Sequence, residues 1–412
     1  MTNPKAALTR TRTRIAKAAY PIRGLDRLAF LTAPGGPEHE FHLAITPPRV
    51  GNIGDQAMVE SYAALVNEPI VLIDRERADE LRPVHGRGGV TLRQLPDLLY
   101  GLGPGHISDV RRFAELVSSA RSVSVFGADI MDGNYNVRAS VMRSRCAEFA
   151  ARAGLDTRIL GFSWNEAPHP AALRALQRAD RAGVRLMARD PRSAERLRAA
   201  GLRNVTDVAD LVFADRSVDL GPANALKATM ADRPVVLVNA SGMIGSWFDQ
   251  LPDYRALVDH LLRMGMNVVM VPHAIRSSAD DAATGAAVAE GLPSDRVHAI
   301  DRLWSPAQVR GLASRSRMVV TGRMHLSIIG LSQQLPVVAM STQGKVSGLM
   351  SFFDLEHLVI APKPGMGAAM IAAADTVHRD HAALQDAIAR RLPDIMALSR
   401  KNVAGLVPTS DR

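Results

Sequence analysis

The chain contains the stretch Met318-Val319-Val320-Thr321-Gly322-Arg323-Met324-His325-Leu326-Ser327-Ile328, in which an apolar run is followed by a glycine and a helix-like segment. This pattern predicts a buried strand that ends at Thr321 and a helix that begins near Arg323. In open α/β sheets, ligands bind beyond the carboxyl ends of strands, where helix N-termini present unpaired N–H groups. With Lys345 twenty residues after His325, the sequence predicts an anion-handling and proton-transfer site.

The same alternation of short apolar runs and helix-period segments extends in both directions along the chain. It is typical of βαβ units and parallel sheets. A connection at Asp215–Asp232, with mixed charge and Gly221-Pro222, separates two series of strands. The predicted strands are Phe41–Thr46, Ile70–Asp74, Ser122–Phe126, Arg158–Ser163, Val184–Ala188, Val235–Asn239, Asn267–Val271, Val297–Ile300, Met318–Thr321, Pro336–Met340 and His357–Ile360. We therefore predict an α/β fold with two doubly wound Rossmann-like domains that face a cleft.

The chain is longer than a single hydrophobic core normally allows. Its 412 residues are 47% hydrophobic and 22% charged, which is ordinary for a globular protein and excludes a disordered one. We predict a basic N-terminal arm at 1–35, a first domain at 36–220, a second domain at 233–375 and a C-terminal helical segment at 376–412. Near that end, Gly367–Val403 alternates alanine with charge, which favours one or two surface helices.

The formal charge of +9 is concentrated at the N-terminus. Residues 1–23 contain six lysines and arginines and no acidic residue, whereas the rest of the chain is only mildly basic. Two interpretations of this segment stay open, a solvated tail and a helix that lies on an anionic membrane surface. Because most of the excess charge is confined to this arm, we predict no nucleic-acid partner.

No segment has the apolar core of a secretory signal or a run of about eighteen apolar residues that could cross a membrane. The single cysteine, Cys146, excludes an internal disulfide and agrees with a reducing compartment. It lies in a helix-like stretch, Val137–Ala153, and is predicted to be a core or groove residue rather than a nucleophile. These features predict a cytoplasmic protein, with peripheral attachment to the inner face of the plasma membrane through residues 1–23 as the alternative to a free one.

Two polar clusters follow predicted strands of the first series. Gly51-Asn52-Ile53-Gly54-Asp55-Gln56 precedes a predicted helix at Ala57–Val66, so its glycines would allow a ligand to approach the backbone closely. The alternative is a helix capped by Asp55. The second cluster, Gly127–Asn136, contains Asp129 and Asp132, which could bind sugar hydroxyls, position a base or simply form turns.

Further polar groups follow other strands, and each is weak evidence of function by itself. They are Arg189-Asp190, His273 within Val271–Arg276, and Asp280-Asp281. Gly101–His106 follows no predicted strand and is interpreted as a loop. No cluster of histidines and cysteines has the spacing of a zinc site, so no metal ligand is predicted.

Lys345 and His325 each have a plain structural alternative. The chain has only six lysines among its 50 basic residues, so the lysine at position 345 indicates that a compact positive charge is required there. The alternative is that Lys345 is simply an exposed side chain. His325 could cap or fill its helix. Arg323 beside it favours a functional role, because clustered positive charge is best tolerated where an anion binds.

Taken together, these blocks resemble the polysaccharide pyruvyl transferase family over roughly Val50–Ile360. Gly51-Asn52-Ile53-Gly54-Asp55 is similar to the family's Gly-Asn-x-Gly-Asp loop, and Arg189-Asp190 with Ser193 to its Arg-Asp/Glu-x-x-Ser block. Pro272-His273 with Asp280-Asp281, Arg323-Met324-His325 and Gly344-Lys345-x-x-Gly348 are similar to its Pro-His, Arg-Leu-His and Lys-x-x-Gly blocks. One departure is Gly127-Ala128-Asp129, where many members carry three glycines.

The resemblance implies a fold like that of GT-B glycosyltransferases, with the acceptor on the first domain and the donor on the second. It also implies transfer of pyruvate from phosphoenolpyruvate to two hydroxyls of a sugar as a cyclic ketal, without a further cofactor. His325 is the expected acid–base and Asp55 the residue that orients or deprotonates the acceptor. The expected substrate-binding residues are Arg323, Lys345, Arg189, Gly51, Asn52, Gly54, Asp129, Asp132 and His273.

The acceptor could be a glycan, a nucleotide sugar or a lipid-linked sugar, which places the protein in polysaccharide or cell-envelope biosynthesis. Two alternatives belong to other classes. The first is a nucleotide-sugar glycosyltransferase of GT-B fold, although the chain has only Glu290 and Glu356 after Pro234, without the paired glutamates of many retaining members. The second is a non-catalytic carbohydrate-binding protein with the same fold.

Overall fold

The structure is a computed structural model that describes residues 40–406 except 67, 77–82, 85, 87, 278 and 342–343. The predicted basic arm therefore lies outside the described residues. Two parallel sheets, each covered by helices, account for most of what is described.

The first half of the chain forms a sheet of seven parallel strands in the order β3-β2-β1-β4-β5-β6-β7. The strands are β1 Phe41–Ile45, β2 Ile70–Asp74, β3 Val90–Gln94, β4 Ala120–Ala128, β5 Asp156–Phe162, β6 Arg185–Ala188 and β7 Val205–Asp207. The helices are α1 Ile53–Leu65, α2 Asp97–Tyr100, α3 Pro104–Ser118, α4 Val137–Arg152, α5 Pro170–Arg181 and α6 Pro191–Ala199. The strand order reverses beside β1, which creates a crevice at the carboxyl ends of β1 and β4.

The second half forms a sheet of six parallel strands in the order β12-β9-β8-β13-β14-β15, with a small antiparallel pair β10-β11 outside it. The strands are β8 Val235–Asn239, β9 Asn267–Met270, β10 Ile275–Arg276, β11 Ala279–Asp280, β12 Val297–Ala299, β13 Met318–Thr321, β14 Val337–Met340 and β15 Val359–Ile360. The helices are α7 Gly221–Lys227, α8 Gly242–Gly245, α9 Leu251–Arg263, α10 Asp281–Ala289, α11 Pro306–Ala313, α12 Met324–Ser332 and α13 Lys345–Met350.

Strands at the centre of each sheet are almost entirely buried because both faces are covered by helices. All of β13 and β14 is buried, as is all of β4 except Arg121. Cys146 is buried in the core of the first half, as predicted. Burial on both faces explains why most of these strands appear in the sequence as short runs of mainly apolar residues.

The two last long helices, α14 Gly367–Arg379 and α15 His381–Arg400, return the chain from the second half to the first. Helix α14 packs against α9 of the second half. At the end of α15, Ser399 Oγ donates to Asp210 O at 2.7 Å, and Asn402 Oδ1 accepts from Gly161 N of β5 at 3.0 Å. The C-terminal segment thus joins both halves.

The predicted α/β class with two doubly wound Rossmann-like domains is confirmed. Three local predictions were wrong. Helix α3 begins at Pro104, so half of the predicted loop Gly101–His106 is helical. The helix predicted at Ala57 begins at Ile53, and its N-cap is Asn52 rather than Asp55, because the Asn52 side chain accepts from Gly54 N and Asp55 N. The residues predicted to begin the last strand form a short 3₁₀ turn, Glu356–Leu358.

Candidate active site

The loop before α1 meets the loop after β9, and this contact brings the carboxyl ends of the two sheets together. Ile53 N donates to His273 O and Ile275 N donates to Gly51 O, each at 3.0 Å. Gly51 has a φ of +70°, and a Cβ there would overlap Ile275 O. Only glycine combines that backbone conformation with so close an approach. Gly51 and Asn52 therefore lie where the two halves touch.

His325 lies in the first turn of α12, immediately after β13, and points at the first half. A Cβ on Gly54 would overlap the imidazole ring, so the glycine leaves room for the ring to reach the start of α1. The His325 side chain is 12% exposed, and its Nε2 is 3.5 Å from Asp210 Oδ2. His273 stacks on it with 6.3 Å between the ring centroids. The histidine of one half is thus inserted among groups of the other.

Asp210, just after β7, is the main site residue that the sequence did not predict. Its side chain is 1% exposed and accepts from Arg189 Nη1 at 2.8 Å. Burial would raise the pKa of Asp210, but His325 and Arg189 outweigh it and hold this pKa at about 2. Asp210 is therefore a buried carboxylate that fixes Arg189 by a hydrogen bond and lies beside His325 Nε2, which has no hydrogen-bond partner among the described residues.

Arg189 and Lys345 come together on Asp129. Arg189 is buried, and its Nη2 donates to Asp129 while its Nε donates to Ser163 Oγ at 2.9 Å. Lys345 donates from the second half to the other oxygen of Asp129. Burial would raise the pKa of Asp129, but the charges of Lys345 and Arg189 outweigh it and lower this pKa.

Arg323 forms a separate pair with Asp281 in the second half. Arg323 Nε and Nη2 donate to the two carboxylate oxygens at 3.0 and 2.6 Å. Asp281 also accepts from the backbone N–H groups of Gly242, His273 and Ala274 at 2.9–3.0 Å. A carboxylate with so many donors fixes the guanidinium in place and holds the His273 loop beside it.

His273 is buried, and neither ring nitrogen has a hydrogen-bond partner among the described residues. Burial, together with the charges of His325 and Arg323, lowers the pKa of His273 to about 3. The ring is therefore neutral at physiological pH. Buried polar atoms are normally paired, so a neutral imidazole without partners marks a place where a ligand or water would bind.

Asp55 lies in the first turn of α1, near His325. Asn52 Nδ2 donates to its Oδ2 at 2.7 Å, and Arg276 Nη2 of the second half donates to the same oxygen at 3.2 Å. Burial raises the pKa of Asp55 although Arg276 and His325 act against it. A carboxylate with a raised pKa close to an imidazole has the features of a general base.

Of the predicted residues, Asp132 has a different neighbourhood from the rest. Its carboxylate accepts from Asn134 N at 2.9 Å and from Asn165 Nδ2, which stabilises the turn after β4. Among the described residues, no group of three or more His, Cys, Asp or Glu side chains is arranged to hold a metal ion. Within the same part of the chain, no helix has the length and apolar character needed to cross a bilayer.

The site therefore combines an imidazole, a carboxylate with a raised pKa and three cations at the junction of two parallel sheets. The profile of one protein family, polysaccharide pyruvyl transferase, matches residues 52–344, which include every block described above except Gly51, Lys345 and Gly348. The chain belongs to the polysaccharide pyruvyl transferase family. As a member of this family it is a transferase of polysaccharide biosynthesis. No curated protein sequence matches the chain.

Solved structures show what the fold of this pyruvyl transferase family member is similar to. A structure described as a UDP-N-acetylglucosamine 2-epimerase from Listeria monocytogenes has a TM-score of 0.59 at 12% identity over 91% of this chain and 98% of that one. The UDP-GlcNAc 2-epimerase from Neisseria meningitidis has a TM-score of 0.55 at 12% identity, and the match covers 88% of this chain and 98% of that one. An α,α-trehalose-phosphate synthase from Burkholderia vietnamiensis has a TM-score of 0.53 at 11% identity, and the match covers 88% of this chain and 97% of that one. At these identities the likeness shows the GT-B fold alone.

Proposed function

We propose that the protein transfers pyruvate from phosphoenolpyruvate to two hydroxyls of an acceptor sugar and forms a cyclic ketal. The observation that carries this proposal is the position of His325. It projects from the half that contains Arg323 and Lys345 toward Asp55 and Asp210 of the other half. A proton donor between a set of cations and a carboxylate base suits an anionic donor on one side and a hydroxyl on the other.

The three cations suit the charges of phosphoenolpyruvate, which carries a phosphate and a carboxylate. In the free protein Lys345 and Arg189 are bound to Asp129, and Arg323 is bound to Asp281. The Asp281 carboxylate accepts many hydrogen bonds and stays with Arg323. Asp129 is 26% exposed and holds its cations from the end of a strand. A donor anion would therefore replace Asp129 on Lys345 and Arg189.

The chemistry requires one proton delivery and two hydroxyl additions. The protonated imidazole of His325 gives its proton to the methylene carbon of the enol, which becomes a methyl group. A sugar hydroxyl then forms a bond to the resulting oxocarbenium-like carbon, and Asp55 accepts its proton. The bond from that carbon to the phosphate oxygen breaks, and phosphate leaves as hydrogen phosphate with the proton that Asp55 accepted, which returns Asp55 to its carboxylate form. The second hydroxyl adds to the same carbon and returns a proton to His325, which closes the ketal ring.

The acceptor is a glycan, a nucleotide sugar or a lipid-linked sugar, and no bound cofactor takes part in this scheme. The first test is pyruvate transfer by the full chain, measured by mass spectrometry with phosphoenolpyruvate and a panel of these acceptors. A nucleotide-sugar glycosyltransferase would instead add a sugar mass and release a nucleotide. A carbohydrate-binding protein without activity would release no phosphate from phosphoenolpyruvate with any acceptor.

The donor assignment has its own test. Lys345→Ala and Arg323→Ala should each raise the KM for phosphoenolpyruvate by about tenfold or more, because a hydrogen bond between charged groups contributes about 1.5–3 kcal/mol. The matched control is Lys227→Ala, whose side chain is 65% exposed and pairs with Asp232. Unchanged donor kinetics in both site variants would reject the assignment.

A further inference from the structure

Positive charge in the folded part of the chain is concentrated between β4 and β7. Residues 138–203 contain 14 arginines, no lysine and six acidic residues, which gives this segment a net charge of +8. Residues 1–23 carry a further +6, so the remaining residues of the chain together carry −5. The small net charge outside the N-terminal arm therefore conceals a strongly basic region and an acidic remainder.

Helices α4, α5 and α6 of this basic region cover the same face of the first sheet. Their buried side chains belong to one hydrophobic core, which includes Cys146 of α4, Leu176 of α5 and Leu197 of α6. Right-handed crossovers between β4, β5, β6 and β7 place successive helices side by side in this way. The opposite surfaces of the three helices therefore form one outer layer of the first half.

Arginines dominate the outer surface of this layer. On α5, Arg174, Arg178 and Arg181 are four and three residues apart, which places them along one side of the helix. Asp180, the one acidic residue of α5, is buried and accepts from Arg203 N at 3.1 Å, which holds Arg203 beside the end of the helix. The side chains of Arg174, Arg181 and Arg203 are exposed.

Acidic side chains neutralise only part of this surface. Glu148 of α4 lies 3.5 Å from Arg178 and also pairs with a second arginine of its own helix. The guanidinium groups of Arg174, Arg181 and Arg203 have no ion-pair partner in the part of the chain that the structure describes. Exposed cations that are clustered on one surface raise the local electrostatic potential and attract a partner of negative charge.

An anionic lipid surface is the partner that fits this layer best. The charges are spread over the outer sides of three neighbouring helices, as contact with an extended surface requires. Each basic residue close to an anionic leaflet strengthens attachment by about fivefold. Stable attachment of a peripheral protein normally takes two signals, and residues 1–23 are a second basic segment of the same chain. One of the acceptors considered above, a lipid-linked sugar, is itself held in a membrane.

The basic layer reaches the cleft at the start of α6. Asp190, the N-cap of α6, lies against Gly348 of the second half, where an added Cβ would be 2.8 Å from Asp190 Oδ1. Helix α6 thus packs on α13, the helix that begins with Lys345. In the next turn of α6, Arg196 donates from Nη1 to Trp164 O at 3.1 Å. A lipid surface against this layer would therefore lie beside one edge of the candidate active site.

We propose that the outer layer of α4, α5 and α6 binds an anionic membrane surface through Arg174, Arg181 and Arg203, and so presents the cleft to a lipid-linked acceptor. The presentation of an acceptor rests on the proposed function, whereas binding to the membrane does not. This surface is separate in the chain from residues 1–23, so the two basic regions contribute independently to attachment.

Cosedimentation of the full chain with vesicles measures this attachment. The vesicles contain phosphatidylcholine and phosphatidylglycerol in equal amounts, and vesicles of phosphatidylcholine alone are the reference. The triple variant Arg174→Gln, Arg181→Gln, Arg203→Gln should bind the anionic vesicles about tenfold or more weakly than the wild type. A matched triple variant removes the same charge from the second half, at side chains that are 78%, 66% and 54% exposed, and should bind like the wild type: Arg302→Gln, Arg379→Gln, Arg391→Gln.

Equal binding by the wild type and the first triple variant would overturn the inference. An equal loss in both triple variants would also overturn it, because net charge and not this layer would then govern attachment. The same proteins are titrated with duplex DNA, whose phosphates carry the same charge. If the first triple variant loses affinity for DNA but not for anionic vesicles, the layer binds nucleic acid and the membrane assignment fails.

Activity separates this inference from the proposed function. The arginines of the first triple variant lie outside the candidate active site, so this variant should keep the wild-type kcat with a soluble acceptor. A wild type that binds anionic vesicles through these arginines but transfers no pyruvate to any acceptor would reject the proposed function and leave the membrane surface standing.

Discussion

Lys345 Nζ, at the start of α13, donates across the cleft to Asp129, the residue that follows β4. The other oxygen of that carboxylate accepts from Arg189. Two of the three cations proposed for the donor are thus neutralised by a residue of the chain itself. Asp129 stands where many family members have glycine, and the preceding Ala128 has a φ of +45°, a conformation that favours glycine.

Asp129→Asn should lower the KM for phosphoenolpyruvate, because the donor would no longer compete with a carboxylate for Lys345 and Arg189. A decrease of about twofold to fivefold corresponds to the upper part of the range for an exposed ion pair, about 0.4–1 kcal/mol. Steady-state kinetics at varied phosphoenolpyruvate concentration measure this decrease. The control is Asp354→Asn, which removes a surface ion pair with Arg391 in the second half. A raised donor KM would show instead that Asp129 positions Lys345 for the donor.

His325→Gln should lose about a hundredfold or more in kcat, the low end for a general acid–base, while phosphoenolpyruvate still binds. The reason is that glutamine keeps a polar side chain beside Asp210 but cannot deliver a proton. Pyruvate-transfer kinetics and calorimetric titration with the donor measure the two effects. Near-normal kcat with a lower melting temperature would make His325 a structural residue.

Gly54→Ala should reduce kcat on the order of a hundredfold, because the added methyl group would occupy the space of the His325 ring and displace it. The donor KM should change little, since Lys345 and Arg323 do not touch Gly54. Gly221→Ala is the matched control, since its Cβ would meet only Asp219 Oδ1 at 3.3 Å. If both alanine variants keep wild-type kcat, His325 does not act from the observed position.

Asp210→Asn should reduce the loss of unfolding free energy that the wild type shows as the pH falls below about 4. The pKa of Asp210 falls from 3.8 to about 2 on folding, so its carboxylate stabilises the fold above pH 4 and this contribution disappears as the pH falls toward 2. The contribution is on the order of 2 kcal/mol. Urea unfolding between pH 5 and 2 measures it, with Asp207→Asn, whose side chain is 55% exposed, as the control. Equal pH dependence in wild type and Asp210→Asn would contradict the assignment.

Removal of residues 1–23 should leave transfer to a soluble acceptor unchanged, because every group of the candidate site lies far along the chain from the basic arm. The comparison is kcat for the full and shortened chains, first with a soluble acceptor and then with an acceptor in anionic vesicles. Loss with vesicles alone would assign the arm to membrane attachment. Loss with the soluble acceptor would contradict the prediction.

The sequence predicted the central strands well and the edges of the first sheet poorly. Strands such as β8 and β13 are buried on both faces and therefore appear as apolar runs. Strands β3 and β7 lie at the two edges of the first sheet, where most of their side chains are partly or fully exposed, so no apolar run indicates them. Hydrophobic periodicity reflects the burial of side chains, and the side chains of these two edge strands are little buried.

The candidate site was predictable where its residues sit in recognisable blocks and not where a role depends on tertiary contact. Arg323, His325 and Lys345 were found because positive charge and an imidazole follow strands in order. Asp210 follows the three-residue strand β7 and resembles any aspartate after a turn. Its proximity to His325, from which it is separated by more than a hundred residues, exists only in the folded chain.

The return of α15 to the first half has a mechanical consequence. The polypeptide passes between the halves once through the segment before β8 and again through α14 and α15, and the second passage is anchored by Asn402 on β5. Any relative movement of the two halves must therefore bend both passages at once or break the hydrogen bonds that anchor the second. One of those bonds, from Ser399 Oγ to Asp210 O, holds the C-terminal segment on the backbone of the residue whose carboxylate pairs with Arg189, so the position of α15 is tied to that of the candidate site.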